Sequence, residues 1–360
     1  MAGQSYTTVA GRLENFAGAV LERAKFSEVL TKLGDTQEMP LNKSQKITWL
    51  RFLPYGGVDN QFLAAGQESA FISKHYIAEG VTPPADSVTY TTFYTTLRQI
   101  GCLFSYTDVM YETHEEGQAF PREMEQQTAE RITLCREMMV YGELKSCSNA
   151  FFGGTGNTVD TTNGAPTYAL AQRIEKAILA KFGFRLNKML GAGPGEGTVP
   201  VPPSFVAYCH TDLAMTLQNT TGFIRKESYG GSPVLDENDE IGSLGPLRFI
   251  GNPILNPIPN GGAAVATYSG PGSSGISTGG VYLDIYPVIV MGRGRNGGDA
   301  FGQVKLRGRQ SINPSHIPIG TKDTCDPLGQ RGYYGAITWQ AQKILNDAWM
   351  AVMFVAAQAA

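Results

Sequence analysis

The stretch PREMEQQTAERITLCREMMVYGELKSC, residues 121–147, sets the organisation of the rest of the chain. It predicts one long helix, because Pro121 suits a first helical turn and Glu123 and Glu125 favour the positive end of the helix dipole. Residues at three- and four-residue spacing predict its buried face: Met124, Thr128, Ile132, Cys135, Met139 and Gly142. A helix of 27 residues is more than twice the mean length of about 12. We therefore expect it to span a domain as a spine.

Before the spine, two segments rich in β-branched and aromatic residues predict strands: 47–53 (ITWLRFL) and 88–97 (VTYTTFYTTL). Residues 40–100 are interpreted as a long β-excursion, and the mixed polarity of both its faces predicts limited burial in an isolated subunit. Such an arm needs a partner to lie on. Residues 11–33 are predicted to form an amphipathic helix that ends at Gly34.

After the spine, the pattern indicates α/β packing interrupted by glycine-rich loops. A helix is predicted over 168–182, with Leu170, Ile174, Ile178 and Phe182 on its buried face and Gly183 as its stop. Thr211 is expected to cap a short helix beginning at Asp212. Strands are predicted at 205–209, 247–250, 281–291 and 301–306, and loops at 191–203 and 256–280.

The end of the chain has a turn signal of its own. Residues 335–343 and 349–355 flank Asn346 and Asp347, a pair favoured in turns. A terminal β-hairpin is predicted here, with a helix as the competing interpretation. No repeat of 20–50 residues is present in the sequence, which argues against solenoids and propellers.

Composition narrows the class of protein. Lys and Arg number 29 and Asp and Glu 32, a formal net charge of −3 at pH 7. This balance excludes a protein that coats nucleic acid by charge, because neutralising phosphates needs a surplus of Lys and Arg. Charged residues make up 17%, against about 25% in ordinary soluble domains. Interface cores are depleted of charge, so a low-charge surface is consistent with burial in an assembly.

The cysteines and the termini give no sign of an extracellular or membrane protein. The odd number and wide spacing of the cysteines argue against a disulfide framework and a zinc ribbon: Cys102, Cys135, Cys147, Cys209 and Cys325. The first residues lack the pattern of a signal peptide. The most apolar window, residues 348–357, has half the length that a membrane span requires.

Two glycine motifs resemble enzyme signatures. Residues 292–297 (GRGRNG) match the dinucleotide-binding pattern, but a strand-like run follows where a helix is required. Residues 275–279 (GISTG) match the nucleophile-elbow pattern around Ser277, without a strand leading into the serine. Both are interpreted as turns of a glycine-rich chain. The enzyme reading stays open as the second candidate function, either as a hydrolase or as a nucleotide-dependent enzyme.

Histidines and charge runs add one open question. No HExxH motif occurs among His75, His114, His210 and His316, so no metal, cofactor or catalytic site is predicted. Five basic residues are interrupted only by Asp299: Arg293, Arg295, Lys305, Arg307 and Arg309. They form either a solvated face or a contact to an acidic neighbouring subunit or to DNA phosphates.

A resemblance connects these segments. The motifs that carry it run in order along almost the whole chain: residues 78–83 (AEGVTP), 89–109, 113–115 (THE), 209–213 (CHTDL), 221–223 (TGF), 326–332 (DPLGQRG) and 345–350 (LNDAWM). The chain resembles the major capsid proteins of tailed phages, which have the HK-ninety-seven-type fold, and more narrowly the N-four-type family. The resemblance implies an α+β fold with an N-terminal arm, an E-loop β-hairpin, a long spine helix, and peripheral and axial domains.

The resemblance also implies a division of the chain. The expected segments are the N-terminal arm (1–40), the E-loop with adjoining strands (41–100), the peripheral domain with the spine helix (101–165), the axial domain with glycine-rich loops (166–325), and C-terminal strands returning to the peripheral domain (326–360). In that fold the E-loop lies over a neighbouring subunit.

The implied function is structural and not enzymatic. The chain is expected to assemble as hexamers and pentamers into an icosahedral shell around double-stranded DNA, which it contacts without sequence specificity. It is expected in the virion after assembly in the host bacterial cytoplasm, with no membrane contact. Expected partners are a portal protein, a separate scaffolding protein and, optionally, a decoration protein. A separate scaffold is expected because only about 40 residues precede the β-excursion. A β-rich phage adhesin is disfavoured by the spine helix.

Overall fold

The computed structural model describes residues 28–32, 34–54, 57–82, 85–113, 119–186, 203–229, 239–295, 298–307, 312–322, 324 and 326–359. The helix predicted over 11–33 therefore lies almost wholly outside the described residues, as do the side chains of His114, Arg309 and Cys325. Of that predicted helix, the structure describes a short 3-10 turn at Leu30–Lys32.

The described residues form five α-helices and sixteen strands. The helices are α1 Glu68–Lys74, α2 Asp108–Thr113, α3 Ala119–Lys145, α4 Tyr168–Leu179 and α5 Leu213–Gln218. The strands are β1 Asp35–Met39, β2 Lys46–Phe52, β3 Tyr90–Thr96, β4 Arg98–Thr107, β5 Ala150–Phe152, β6 Gly183–Phe184, β7 Phe205–Cys209, β8 Phe223–Arg225, β9 Glu240–Leu244, β10 Leu247–Gly251, β11 Ile285–Met291, β12 Arg293–Gly294, β13 Phe301–Leu306, β14 Asn313–Ile317, β15 Arg331–Ile344 and β16 Met350–Ala356. In this part of the chain, no helix is both long and apolar enough to cross a membrane.

A five-stranded sheet is built around the long strand β15. Strand β15 pairs with β4 and β14 on opposite edges of its first ten residues, and with β13 over residues 341–344; β13 in turn pairs in parallel with β1. The spine helix α3 packs on one face of this sheet: the Arg136 Nε donates to Gln340 Oε1 at 2.7 Å, and the Cys102 Sγ lies 3.4 Å from the carbonyl oxygen of Thr128. The predicted spine is confirmed, beginning two residues earlier and ending two residues earlier than expected.

The second large sheet has seven strands in the order β5-β16-β11-β7-β10-β9-β8. Every residue of β7, β10, β11 and β16 is buried, so both faces of its centre are covered. Side chains alternate between two apolar clusters: Val206 and Tyr208 lie with the end of α3, whereas Phe205 and Ala207 pack with α4 and α5. Continuous apolar runs such as IYPVIVM are typical of strands buried on both faces.

The predicted terminal hairpin is wrong. Both of its strands exist, but β15 belongs to the five-stranded sheet and β16 to the seven-stranded sheet, where it pairs with β11 and β5. A 3-10 turn at Asp347–Trp349 separates them, and the side chain of Asn346 accepts a hydrogen bond from the backbone of Ala348. The turn signal was real, but it redirects the chain from one sheet to the other.

The buried face of the spine helix also differs from the prediction. Thr128 and Ile132 are buried as expected, whereas Cys135 and Gly142 are exposed. After Ile132 the buried side chains of the helix are Arg136, Glu137, Val140, Tyr141 and Leu144. The prediction from apolar spacing was wrong here because two charged residues, Arg136 and Glu137, are buried.

Glu137 is buried because backbone groups satisfy it. Its two carboxylate oxygens accept hydrogen bonds from the backbone N–H groups of Val29 (3.0 Å), Leu30 (2.6 Å) and Thr31 (3.0 Å). The side chain of Leu30 is fully buried beside the helix. Glu137 thus fixes the point where the N-terminal segment joins the body of the protein.

The two shorter helices begin or end differently from the prediction. Helix α4 ends at Leu179, and Phe182, expected on its buried face, is 46% exposed with a left-handed φ of 60°. Gly183 is not the helix stop but part of β6, where an added Cβ would lie 2.4 Å from Ile178. Asp212, not Thr211, precedes α5, and its carboxylate makes no cap but accepts from the Tyr286 hydroxyl at 2.9 Å.

Candidate assembly surface

The excursion before the spine is a two-stranded hairpin with one apolar face turned to solvent. Strands β2 and β3 pair in antiparallel register, with Trp49 opposite Phe93 and Phe52 opposite Tyr90. Alternation places Trp49 and Phe93 towards the body of the protein and leaves the other face exposed. The exposed face carries four large apolar side chains: Leu50, Phe52, Tyr90 and Tyr94.

The base of the hairpin packs on the five-stranded sheet. A small apolar cluster joins Trp49 and Leu97 of the hairpin to Met39, Val304 and Ala341 of strands β1, β13 and β15. Partly buried side chains extend this cluster: Ile47, Phe93, Leu306, Trp339 and Leu345. The hairpin is therefore anchored at one end only.

Polar contacts lock the same end. Asn60 and Asn346 exchange two amide hydrogen bonds, at 3.0 Å and 2.9 Å. The Arg51 guanidinium donates to the carbonyl oxygen of Leu345 at 2.7 Å and forms an ion pair with Asp59. These contacts tie the hairpin to the turn that links the two sheets.

Two residues with unusual backbone conformation support this anchor. Asn60 and Phe182 both adopt left-handed φ angles, 53° and 60°. The Phe182 ring meets Phe62 edge to face, with ring centroids 4.9 Å apart. Left-handed conformations are costly for residues other than glycine and persist where the surroundings hold them.

The asparagine pair gives the first testable prediction. Asn60→Gly keeps the left-handed backbone accessible but removes both amide bonds, so we expect a loss of about 1–2 kcal/mol in the free energy of unfolding of the subunit. Amide hydrogen exchange in β2 and β3 should accelerate. Asn42→Gly is the matched control, since Asn42 is exposed with a φ of 59°. Equal effects of the two substitutions would contradict the anchoring role.

Beyond the anchor, the hairpin tip (residues 64–88) buries almost nothing. Every described residue of the tip is exposed except Phe71, which is half-buried, and helix α1 within it has no buried residue. Of 27 exposed large hydrophobic side chains in the described residues, thirteen lie between Leu41 and Tyr94. Tyr76 and Ile77 are 77% and 70% exposed. So large an exposed apolar patch marks a binding surface.

The two enzyme-like motifs lie in structural turns. The Ser277 hydroxyl donates to the carbonyl oxygen of Tyr282 within the glycine-rich loop. Arg293 and Gly294 form β12, which pairs with β6, while Asn296 and Gly297 lie outside the described residues. The next element is strand β13, not the helix that a dinucleotide site requires.

The adjacent Cys209 and His210 have separate environments. Cys209 is fully buried in β7, and burial raises the pKa of its thiol to about 12, so it stays protonated at neutral pH. His210 lies at the strand end, where its Nδ1 accepts from the backbone N–H of Asp212 at 3.1 Å. Among the described residues, no group of three His, Cys, Asp or Glu side chains could hold a metal ion.

The basic run is not one continuous patch. Arg293 and Arg295 lie by β6, where the Arg295 guanidinium is 6.0 Å from the Phe184 ring centroid. Lys305 lies on β13, directly opposite Glu38 of β1. The register thus places one acidic residue beside the run, and Arg309 lies outside the described residues.

Sequence reasoning placed the hairpin correctly but missed its anchors and the helix within it. The excursion, its two strands and its limited burial were predicted from β-propensity and mixed polarity. The asparagine pair joins positions 286 residues apart, and nothing local signals it. Helix α1 lies within a stretch that gave no sustained apolar period, so no pattern could have identified it.

Comparison with known proteins identifies the fold. No family model and no curated protein matches the sequence. Among solved structures, the capsid of Ralstonia phage GP4 matches with a TM-score of 0.57 and 10% identity, covering 97% of this chain and 96% of that one. The capsid of cyanophage P-SCSP1u matches with a TM-score of 0.56, 13% identity, and coverage of 96% and 93%. The capsid of cyanophage Pam1 matches with a TM-score of 0.55, 13% identity, and 99% of both chains. The chain therefore has the HK-ninety-seven-type capsid fold over almost its whole length.

Proposed function

We propose that the chain is the major capsid protein of a tailed bacteriophage, whose copies assemble as hexamers and pentamers into an icosahedral shell around double-stranded DNA. The observation that carries the proposal is the hairpin: an anchored arm with a large apolar surface that its own subunit does not cover. Apolar surface on this scale is stabilised by association. A full-length capsid fold supplies the context in which such an arm meets another copy.

The proposed division of the chain follows its two sheets. The N-terminal arm (1–40) and the E-loop (41–100) lead into a peripheral domain formed by α3 and the five-stranded sheet. The axial domain is the seven-stranded sheet with α4, α5 and the glycine-rich loops. Strand β13 belongs to the segment 166–325 but pairs within the five-stranded sheet, and β16 belongs to the segment 326–360 but pairs within the seven-stranded sheet. Each of the two domains therefore includes one strand from beyond the boundary at residue 325.

The proposed partners are those that the resemblance to tailed-phage capsid proteins implies. A portal protein and a separate scaffolding protein would complete the shell, with a decoration protein as an optional addition. A net charge of −3 suits a shell that encloses DNA without condensing it, since condensation needs many cationic contacts. The protein would be made in the bacterial cytoplasm and remain in the virion. We propose no catalytic, metal or cofactor site.

Electron microscopy of lysate expressing the chain, with and without a candidate scaffolding protein, tests this function. Closed shells or hexameric capsomers are expected in at least one of the two samples. Monodisperse monomers in both would contradict a capsid role, and Ser277 and nucleotide binding would then be assayed for the enzyme alternative.

A further inference from the structure

A two-stranded ribbon, formed by β6 and β12, continues from the end of β11. Phe184 of β6 lies opposite Arg293 of β12, and directly paired residues share a face of the ribbon. The next pair is Gly183 with Gly294. An added Cβ would come within 3.2 Å of the Trp349 ring at Gly183 and within 2.5 Å of it at Gly294. The two glycines therefore make room for Trp349 against the ribbon.

A cavity of about 490 Å³, the aromatic cavity, lies between this ribbon and the base of the hairpin. Five aromatic residues line it: Phe52, Phe62, Phe182, Phe184 and Trp349. Asp59 is the acidic residue among its described lining residues, and it is paired with Arg51. The aromatic cavity thus has apolar walls and a neutralised carboxylate, and its volume is in the range that small ligands occupy.

A second cavity of about 580 Å³, the arginine cavity, adjoins the first, since Phe184 and Arg295 line both. Of the described residues that line it, none is acidic and three are arginines: Arg185, Arg293 and Arg295. Arg185 is paired with Glu175. The charge of the cavity therefore depends on the other two guanidinium groups.

These two guanidinium groups have no acidic partner. Within the described residues, neither Arg293 nor Arg295 forms an ion pair. The Arg295 guanidinium lies 6.0 Å from the Phe184 ring centroid, and Arg293, which is half-buried, is bridged to Asp299 through the backbone. Two like charges beside one cavity repel each other. An anion between them would turn this repulsion into attraction.

We infer that the two cavities together, the ribbon site, bind a nucleoside monophosphate, with the base in the aromatic cavity and the phosphate in the arginine cavity. Aromatic side chains stack on nucleobases, and the guanidinium fork binds phosphate oxygens in pairs. Phe184 and Arg295 line both cavities, so they lie where base and phosphate are joined. The inference goes beyond the proposed function, does not depend on it, and involves binding alone.

The ribbon site uses the motif at residues 292–297 differently from a dinucleotide-binding fold. In that fold, the N-terminus of a helix holds the pyrophosphate with backbone N–H groups. Here Gly294 makes room for Trp349, and the side chains of Arg293 and Arg295 supply the positive charge. A strand as the next element is therefore compatible with this site.

Double-stranded DNA matches only half of the ribbon site. Its phosphates can reach the arginine cavity, as they reach any basic surface. Its bases are paired and stacked inside the duplex, so they do not enter the aromatic cavity. Phe184 should therefore matter for a free nucleotide and not for a duplex.

Isothermal titration calorimetry of the unassembled full-length subunit tests the inference. AMP, adenosine, inorganic phosphate and a short DNA duplex are the separate titrants. Arg295→Gln removes the shared guanidinium, and Phe184→Leu removes the shared ring. Arg173→Gln is the matched control, because Arg173 is exposed on α4 and lines neither cavity. Circular dichroism checks the folding of each variant, and Arg295 is exposed, so its substitution should leave the fold intact.

We expect AMP to bind at least about 10-fold more tightly than adenosine or phosphate, because each of these makes only one half of the contacts. Arg295→Gln and Phe184→Leu should each weaken AMP binding by about 10-fold, while Arg173→Gln leaves it unchanged. Phe184→Leu should leave duplex binding unchanged.

Four results would overturn the inference: no AMP binding up to about 5 mM, phosphate binding as tight as AMP binding, equal losses in the Arg295 and Arg173 variants, or equal effects of Phe184→Leu on AMP and on the duplex. Each of them would leave the capsid role standing, because shell assembly is measured separately.

Discussion

Replacing the hairpin tip, residues 64–88, by a short Gly-Ser linker is expected to abolish shell formation while leaving the subunit folded. The described residues of the tip are exposed except for Phe71, so their removal takes no buried contact from the core. We therefore expect the melting temperature of the unassembled subunit to stay nearly constant, because surface changes usually cost within about 0.5 kcal/mol. Circular dichroism and electron microscopy would measure folding and assembly on the same preparation.

A double substitution refines that result. Tyr76→Ser with Ile77→Ser removes two exposed apolar side chains, and burying each in a contact is worth about 1.5–3 kcal/mol. If the double variant loses about 3 kcal/mol in each contact between subunits, it needs a concentration about 100-fold higher than the unmodified chain to assemble. Met215→Ser with Ile224→Ser, at exposed positions on α5 and β8, is the control. Normal shells formed by the chain without its tip would contradict the assignment of the hairpin to the assembly surface.

Substituting Glu137 by glutamine is expected to cost the subunit about 3 kcal/mol in free energy of unfolding. Hydrogen bonds to a charged group contribute about 1.5–3 kcal/mol each, and glutamine turns an N–H₂ group towards N–H donors that need an acceptor. Three backbone donors depend on the carboxylate: those of Val29, Leu30 and Thr31. Urea unfolding of the unassembled subunit measures the loss.

The same experiment contains its control. Glu125 lies on the same helix but is exposed, so Glu125→Gln should change the free energy of unfolding by less than about 0.5 kcal/mol. Hydrogen exchange should show residues 29–31 opening in the Glu137 variant. If the two variants unfold at the same urea concentration, the buried carboxylate does not hold the N-terminal junction.

Local sequence signals predicted the elements better than their partners. Propensity and spacing identified the spine helix, the two hairpin strands and the continuous apolar strands of the second sheet, because each of these signals lies within one element. The spine face was wrong after Ile132, since apolar spacing cannot anticipate that Glu137 is buried by binding backbone donors 106 to 108 residues away. Phe182 was assigned to the core, yet it turns outward to meet Phe62.

The contacts that anchor the candidate assembly surface were not predicted for the same reason: they join residues that are far apart in the sequence. Limited burial of the excursion could be predicted from its own composition. The contacts that hold it could not, because Asn346 and Leu345 belong to the far end of the chain. The turn signal at Asn346 and Asp347 was consistent with a hairpin, and only the pairing of β15 with β4 and of β16 with β11 separates the two strands.

The placement of β15 and β16 has a consequence for the order of events during synthesis. Each is an interior strand of its sheet: β15 pairs with β4, β13 and β14, and β16 lies between β5 and β11. Both follow every other strand of the described residues in sequence order, so neither sheet can close before residues 331–356 have been synthesised. The base of the hairpin packs against Ala341, and the amide hydrogen bonds that hold it need Asn346. A growing chain that has not yet reached Asn346 therefore lacks an anchored arm, and we expect association through the arm to follow the synthesis of these two strands.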